Sequence, residues 1–108
     1  MATQDDVGYM GTIPLGDTLR LALQCVNSSG VVTAPDAAPT WSMYGDSDTA
    51  LLAGSLGSSD ADSKTGLRTG DAAITAGNGF SSGMRVIVRF AYAISSSNRA
   101  AIGYFLVT

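Results

Sequence analysis

Apolar and polar residues alternate one for one along much of this chain. From Thr18 to Val26, Leu19, Leu21, Leu23 and Cys25 fall on one side and Thr18, Arg20, Ala22 and Gln24 on the other, which is the period of a half-buried β-strand. The longest such run is Met84 to Ile94. There Met84, Val86, Val88, Phe90, Tyr92 and Ile94 share a face, and Arg85, Ile87, Arg89, Ala91 and Ala93 lie opposite. Thr40 to Tyr44 repeats the pattern with Trp41 and Met43 on one side, and Trp41, the largest apolar body in the chain, is expected to anchor the core. The predicted core is Leu19, Leu21, Leu23, Trp41, Met43, Val86, Val88 and Phe90.

Between these runs the chain carries turn chemistry. Asn27-Ser28-Ser29-Gly30 is a turn before a short returning strand at Val31 to Thr33, and Pro35 and Pro39 bracket a connection that cannot donate ladder hydrogen bonds. Gly45 to Asp48 turns the chain into a weak strand, Ala50 to Leu56. Gly57 to Gly66, mostly Ser, Asp and Gly, reads as an exposed loop. Leu67 to Ile74 is a strand candidate interrupted by Gly70, so its register is left open. Ala76 to Gly83 reads as a loop or one helical turn around Phe80, Ser95 to Asn98 as a turn, and Ala100 to Thr108 as the closing strand. Strand segments every ten residues or so, with no 3.6-residue stripe, predict an all-β fold: an antiparallel sandwich or barrel of about seven strands in one domain. At 108 residues the chain is the size of one domain.

Composition narrows the function classes. The sequence has no His and no Glu, and all nine of its acids are Asp, so few groups suited to proton transfer near neutral pH remain. The expectation is a protein that is not an enzyme and holds no cofactor. Cys25 has no second cysteine to pair with and no histidine to activate it, and it reads as a buried core residue. With no disulfide available, folding in a reducing cytoplasm is expected. The first seven residues show neither the basic nor the apolar region of a signal peptide, and no apolar run approaches a membrane span. Six basic residues and a net charge of −3 argue against nucleic acid. Only 14% of the residues are charged, which weakens repulsion between molecules and favours assembly.

Three features have residue types that could form sites. Asp46/Asp48 and Asp60/Asp62 have spacing that could present oxygen ligands to Ca²⁺, but no bidentate Glu follows, and Asp is a turn residue in its own right; solvated turns are the expectation, with no metal. Gly77, Gly79 and Gly83 have the wrong spacing for a dinucleotide loop and punctuate a loop. Arg85 and Arg89 project from the same side of the strongest strand about 13 Å apart. With Ile87 between them they form either a partner-contact surface or a solubilising outer face.

The order of elements resembles a group of small virion proteins of tailed bacteriophages in which a short immunoglobulin-like (Ig-like) β-sandwich makes up most of the chain. The resemblance begins at Thr12-Ile13-Pro14-Leu15-Gly16-Asp17-Thr18-Leu19. It continues through Val26 to Gly30, the Pro39 to Tyr44 strand, Thr65-Gly66-Leu67, and Gly79-Phe80 leading by Gly83 into the long strand. It spans roughly residues 12 to 108, departs from the group's pattern at Arg68 to Ala73, and carries over no catalytic or binding residues. What it implies is an Ig-like fold and a structural role in the virion. The protein would be made in the host cytoplasm and added in many copies to the major capsid protein or another virion subunit, as a capsid decoration or head accessory protein. A chain that starts at Met1 with this domain alone suits a separately made subunit. Two alternatives stand beside it: a neck or tail component, and a host-surface module binding carbohydrate through Trp41, Tyr44, Tyr9 or Tyr92.

Residues 1 to 10 are read as an N-terminal arm, with the sandwich over 11 to 108. In the arm, acidic Asp5 and Asp6 precede Val7, Tyr9 and Met10, an apolar segment that could add a strand to a neighbour's sheet edge. The other outcome is that the arm pairs with its own sandwich as a first strand. The expected partner interface is therefore Val7, Tyr9, Met10, Arg85, Ile87 and Arg89.

Overall fold

The computed structural model describes residues 8–108. Seven strands run in chain order: β1 (Gly8–Ile13), β2 (Thr18–Gln24), β3 (Thr40–Tyr44), β4 (Leu52–Ser55), β5 (Leu67–Ala73), β6 (Arg85–Ile94) and β7 (Ser97–Val107). They form two sheets, one of five strands in the order β1-β7-β6-β3-β4 and one of two, β2-β5. The only helical segments among the described residues are two short 3-10 turns, Ala61–Ser63 and Ala76–Asn78. No helix of these residues is long and apolar enough to cross a membrane.

The two sheets enclose the side chains that alternation points inward. All eight predicted core residues are buried, joined by Cys25, Leu56, Ala72, Ile74, Phe80, Ile94, Phe105 and Val107. β6 is the axis of the larger sheet, hydrogen-bonded to β3 on one side and along its whole length to β7 on the other. The turn joining β6 to β7 has two residues, Ser95 and Ser96, both with positive φ (50° and 67°). Two such residues give the hairpin the twist its strands require, and here neither is Gly. The Asp36 carboxylate compensates, accepting the Ser95 and Ser96 N–H groups at 2.9 Å each.

Several expectations are corrected. Gly8, Tyr9 and Met10, assigned to a free arm, belong to β1, which pairs with β7 in register Gly8↔Gly103 and Tyr9↔Tyr104. That pair is parallel, so the larger sheet is mixed, where an antiparallel fold was expected. Only the part of the arm before Gly8 lies outside the described residues. Val31 to Thr33 does not form a strand. It contributes one bridge, Val26↔Val32, because Asn27 Oδ1 takes the Ser29 and Val31 N–H groups and holds the segment as a compact turn.

Gly70 does not interrupt its strand. β5 runs unbroken beside β2, from Thr18↔Ala73 to Gln24↔Leu67. A Cβ at Gly70 would stand 3.1 Å from Leu56 Cδ2, so the missing side chain is the space that Leu56 fills. Gly54 plays the same part for the tryptophan. It lies opposite Trp41 in the β3–β4 ladder, and a Cβ there would come within 2.8 Å of the indole Cζ2. The indole therefore lies across the backbone of β4 and closes one end of the core.

Trp41→Ala is expected to lower unfolding free energy by about 3 to 5 kcal/mol, and Gly54→Ala by about 1 to 3 kcal/mol through overpacking. Urea denaturation of both variants checks this. A Gly54→Ala protein as stable as the parent would mean that the indole does not rest on that glycine.

Candidate interaction face

The outward side chains of the larger sheet form rows across it, because cross-strand partners share a face. One row is Tyr44 on β3, Ile87 on β6, Tyr104 on β7 and Tyr9 on β1. The Tyr9 and Tyr104 rings stand 5.2 Å apart, tilted by 41°, within the range of a favourable aromatic pair. The row on one side of it contains Ser42, Arg89 and Ile102, and the row on the other contains Arg85, Leu106 and Thr12. Tyr9, Ile87 and Ile102 are 55%, 40% and 42% exposed, a large share for side chains of this kind.

Arg85 and Arg89 flank this apolar row. They take part in neither ion pair among the described residues, which are Arg20–Asp71 and Arg68–Asp60. Among the described residues no acid stands on the strands of this face. Asp17, Asp36, Asp46, Asp48, Asp60 and Asp62 are in connections, and Asp71 is on the outer side of the two-stranded sheet. A chain of net charge −3 thus presents a positive, aromatic sheet face.

Four of the six residues expected at a partner interface, Tyr9, Arg85, Ile87 and Arg89, come together on this face. Met10 does not. It is partly buried against the core, its sulfur 2.7 Å from where a Cβ of Gly103 would be, so it fastens β1 to β7. Val7 lies outside the described residues. Sequence reasoning missed Tyr104, Ile102 and Leu106. Their alternation in Ala100 to Thr108 was visible, but the register that sets them beside Ile87 and Tyr9 was not.

Of the four aromatics considered for carbohydrate, Trp41 is buried and Tyr92 is half-buried with its hydroxyl turned to the protein's own backbone. Trp41 is 5% exposed, and the Tyr92 hydroxyl lies 3.2 Å from Val26 N, accepting its N–H, and 3.3 Å from Val26 O. The Asp60/Asp62 pair has another use. Asp60 Oδ1 accepts the Gly66 N–H at 3.0 Å and stands 3.2 Å from the buried guanidinium of Arg68. Arg68 projects inward from β5, opposite Leu23, and Asp60 closes the loop over it. Among the described residues no three His, Cys, Asp or Glu side chains stand close enough to hold a metal ion.

Cys25 is buried beside this pair. Burial pushes its thiol pKa up, the Arg68 charge acts the other way, and Asp60 adds a smaller upward push. Comparison with models of protein families gives no match, and no similar chain emerges from comparison with curated proteins or with solved structures.

Asp60→Asn leaves the Arg68 charge buried without its counter-ion and is expected to cost about 2 kcal/mol, below the full cost of breaking an enclosed pair because Asp60 is partly exposed; thermal and urea unfolding measure it. Because folding raises the thiol pKa, the Cys25 contribution is complete below the ordinary thiol range, about pH 8.5, and is lost as pH rises through the folded value. Iodoacetamide at pH 8 is therefore expected to label Cys25 far more slowly in the native protein than in urea. Equal rates would show that the thiol is accessible.

Proposed function

We propose that this protein is a structural subunit that docks through the outer face of its larger sheet, in the manner of a capsid decoration or head accessory protein of a tailed bacteriophage. The observation that carries the reading is the Tyr44–Ile87–Tyr104–Tyr9 row with Arg85 and Arg89 beside it. Aromatic residues and Arg are the types enriched where proteins meet, and an apolar row rimmed by charge is the usual anatomy of such a contact. Two arginines that, among the described residues, have neither an ion-pair partner nor an acid on their face fit a partner whose surface is acidic around an apolar patch. On a symmetric shell, many copies each need only a modest contact.

The strand order supports the Ig-like part of the reading. In that fold, strands C, F and G are neighbours in one sheet and B and E in the other. Here β3, β6 and β7 are neighbours in the larger sheet, β2 pairs with β5, and β4 extends the larger sheet beside β3. Trp41 on β3 stands where antibody domains pack a tryptophan against their inter-sheet disulfide. This chain has a single cysteine, so hydrophobic packing alone fills that place.

Sedimentation with undecorated capsid shells of the virus that encodes the chain tests the proposal. The parent protein is expected to co-sediment at micromolar concentration. Ile87→Asp, in the middle of the row, is expected to weaken binding at least tenfold while leaving the melting temperature within a few degrees, and Arg85→Glu with Arg89→Glu to do the same. No binding by the parent, or full binding by these variants, overturns it.

A further inference from the structure

The β6–β7 hairpin extends beyond the smaller sheet, whose strand β2 ends at Gln24 while β5 begins at Leu67. Over the overhang the inner face is covered by the turn after Cys25, held down by the two Tyr92 hydroxyl contacts to Val26 and by the Thr33 N–H donated to Cys25 O. Between hairpin and turn lies a cavity of about 270 Å³ whose lining includes Asn27, Ser28, Ile94, Ser95, Ser97 and Arg99.

Arg99 is the one charged residue in this lining. It is opposite Tyr92 in the ladder, and alternation along β7 puts it on the inner face with Ala101, Gly103, Phe105 and Val107. Its Nε is buried with no hydrogen-bond partner among the described residues, and it belongs to neither ion pair. With its Nε enclosed by protein and no carboxylate paired to it among the described residues, the guanidinium charge is uncompensated, and an anion in the cavity that Arg99 lines is one way to balance it. Asp36 does not serve: it takes the Ser95 and Ser96 N–H groups, makes no ion pair with Arg99 and is not part of the lining.

The other polar groups around the cavity are suited to donate. Asn27 Oδ1 already accepts from Ser29 and Val31 N–H, so what Asn27 has left to offer a ligand is its NH₂ group. Ser28, Ser95 and Ser97 bring hydroxyls. A planar cation surrounded by small donors, with no carboxylate in the lining, selects for a compact oxyanion. The volume is below that of pockets for drug-sized molecules, which suits a single carboxylate or phosphate group.

We propose that the hairpin end of the sandwich binds a small oxyanion, a carboxylate or phosphate group held by Arg99. The site lies on the inner side of the hairpin, apart from the outer face proposed for docking, and does not depend on that reading. The carboxylate and phosphate sources are separated by titrating ¹⁵N-labelled full-length protein with sodium acetate and with sodium phosphate. Sodium chloride at matched ionic strength serves as the control. At least one of the two oxyanions is expected to shift the Arg99 Nε–H signal and the Ser28 and Ser97 amides saturably.

Arg99→Gln should weaken that binding at least tenfold, and Arg99→Lys, which keeps the charge but loses the fork, by a smaller factor. Arg85→Gln, on the outer face, should leave it unchanged. If Arg99→Gln does not fold, the lysine variant and a Ser97→Ala variant carry the comparison. Shifts no larger than those from chloride, or equal binding by the parent and the Arg99 variants, overturn the proposal.

Discussion

The structure depends on the central strand β6, whose alternate residues face two different environments. Val86, Val88, Phe90 and Ile94 are buried between the sheets, and Arg85, Ile87 and Arg89 are turned outward. Slipping its register by one residue would place two arginines in the core and its aliphatic row in water, a penalty large enough to hold a single pairing. Once β6 is fixed, its ladders to β3 and β7 place Trp41 and Met43 on one side and Phe105 and Val107 on the other. The same constraint aligns Tyr44, Ile87, Tyr104 and Tyr9 into one row on the outside.

The core is closed by large side chains set against missing ones. Trp41 rests on Gly54, Leu56 on Gly70 and Met10 on Gly103. Each fit places a bulky residue over a backbone that carries nothing, so adding a Cβ or truncating the large partner disturbs the packing from opposite directions. At the Gln24–Leu67 end of the smaller sheet the filling is polar, with Arg68 inside and Asp60 reaching over it. That ion pair ties the Ser- and Asp-rich loop to the sandwich, giving the loop a defined closure that its composition does not suggest.

Charge is distributed by layer. Among the described residues the acids sit in the connections and on the outer side of β2 and β5, where Asp71 pairs with Arg20, and the larger sheet's outer face keeps Arg85 and Arg89 without an opposing carboxylate. A molecule with an overall negative charge thereby has a positive sheet face among its described residues, and the docking proposed for that face would be steered by charge and sensitive to salt.

The sequence by itself determined the strand faces. Leu19, Leu21 and Leu23, Trp41 and Met43, and Val86, Val88 and Phe90 are all buried, as a two-residue period demands, because that period is a local property of the backbone. The outward placement of Arg85, Ile87 and Arg89 was legible for the same reason. Which strand lies beside which was decided only by the tertiary structure. Gly8 to Met10 carry no local mark that distinguishes a free arm from a strand, and the choice is made by β7, more than ninety residues further along, whose edge and whose Gly103 receive them. Arg68 is buried because the ladder puts it opposite Leu23 with Asp60 above it, and nothing in its neighbouring sequence marks that. Ser95 and Ser96 adopt left-handed backbone because Asp36, far away in the chain, holds their N–H groups. In each case the deciding contact joins residues that are distant in sequence, and a one-dimensional pattern contains no distance between them.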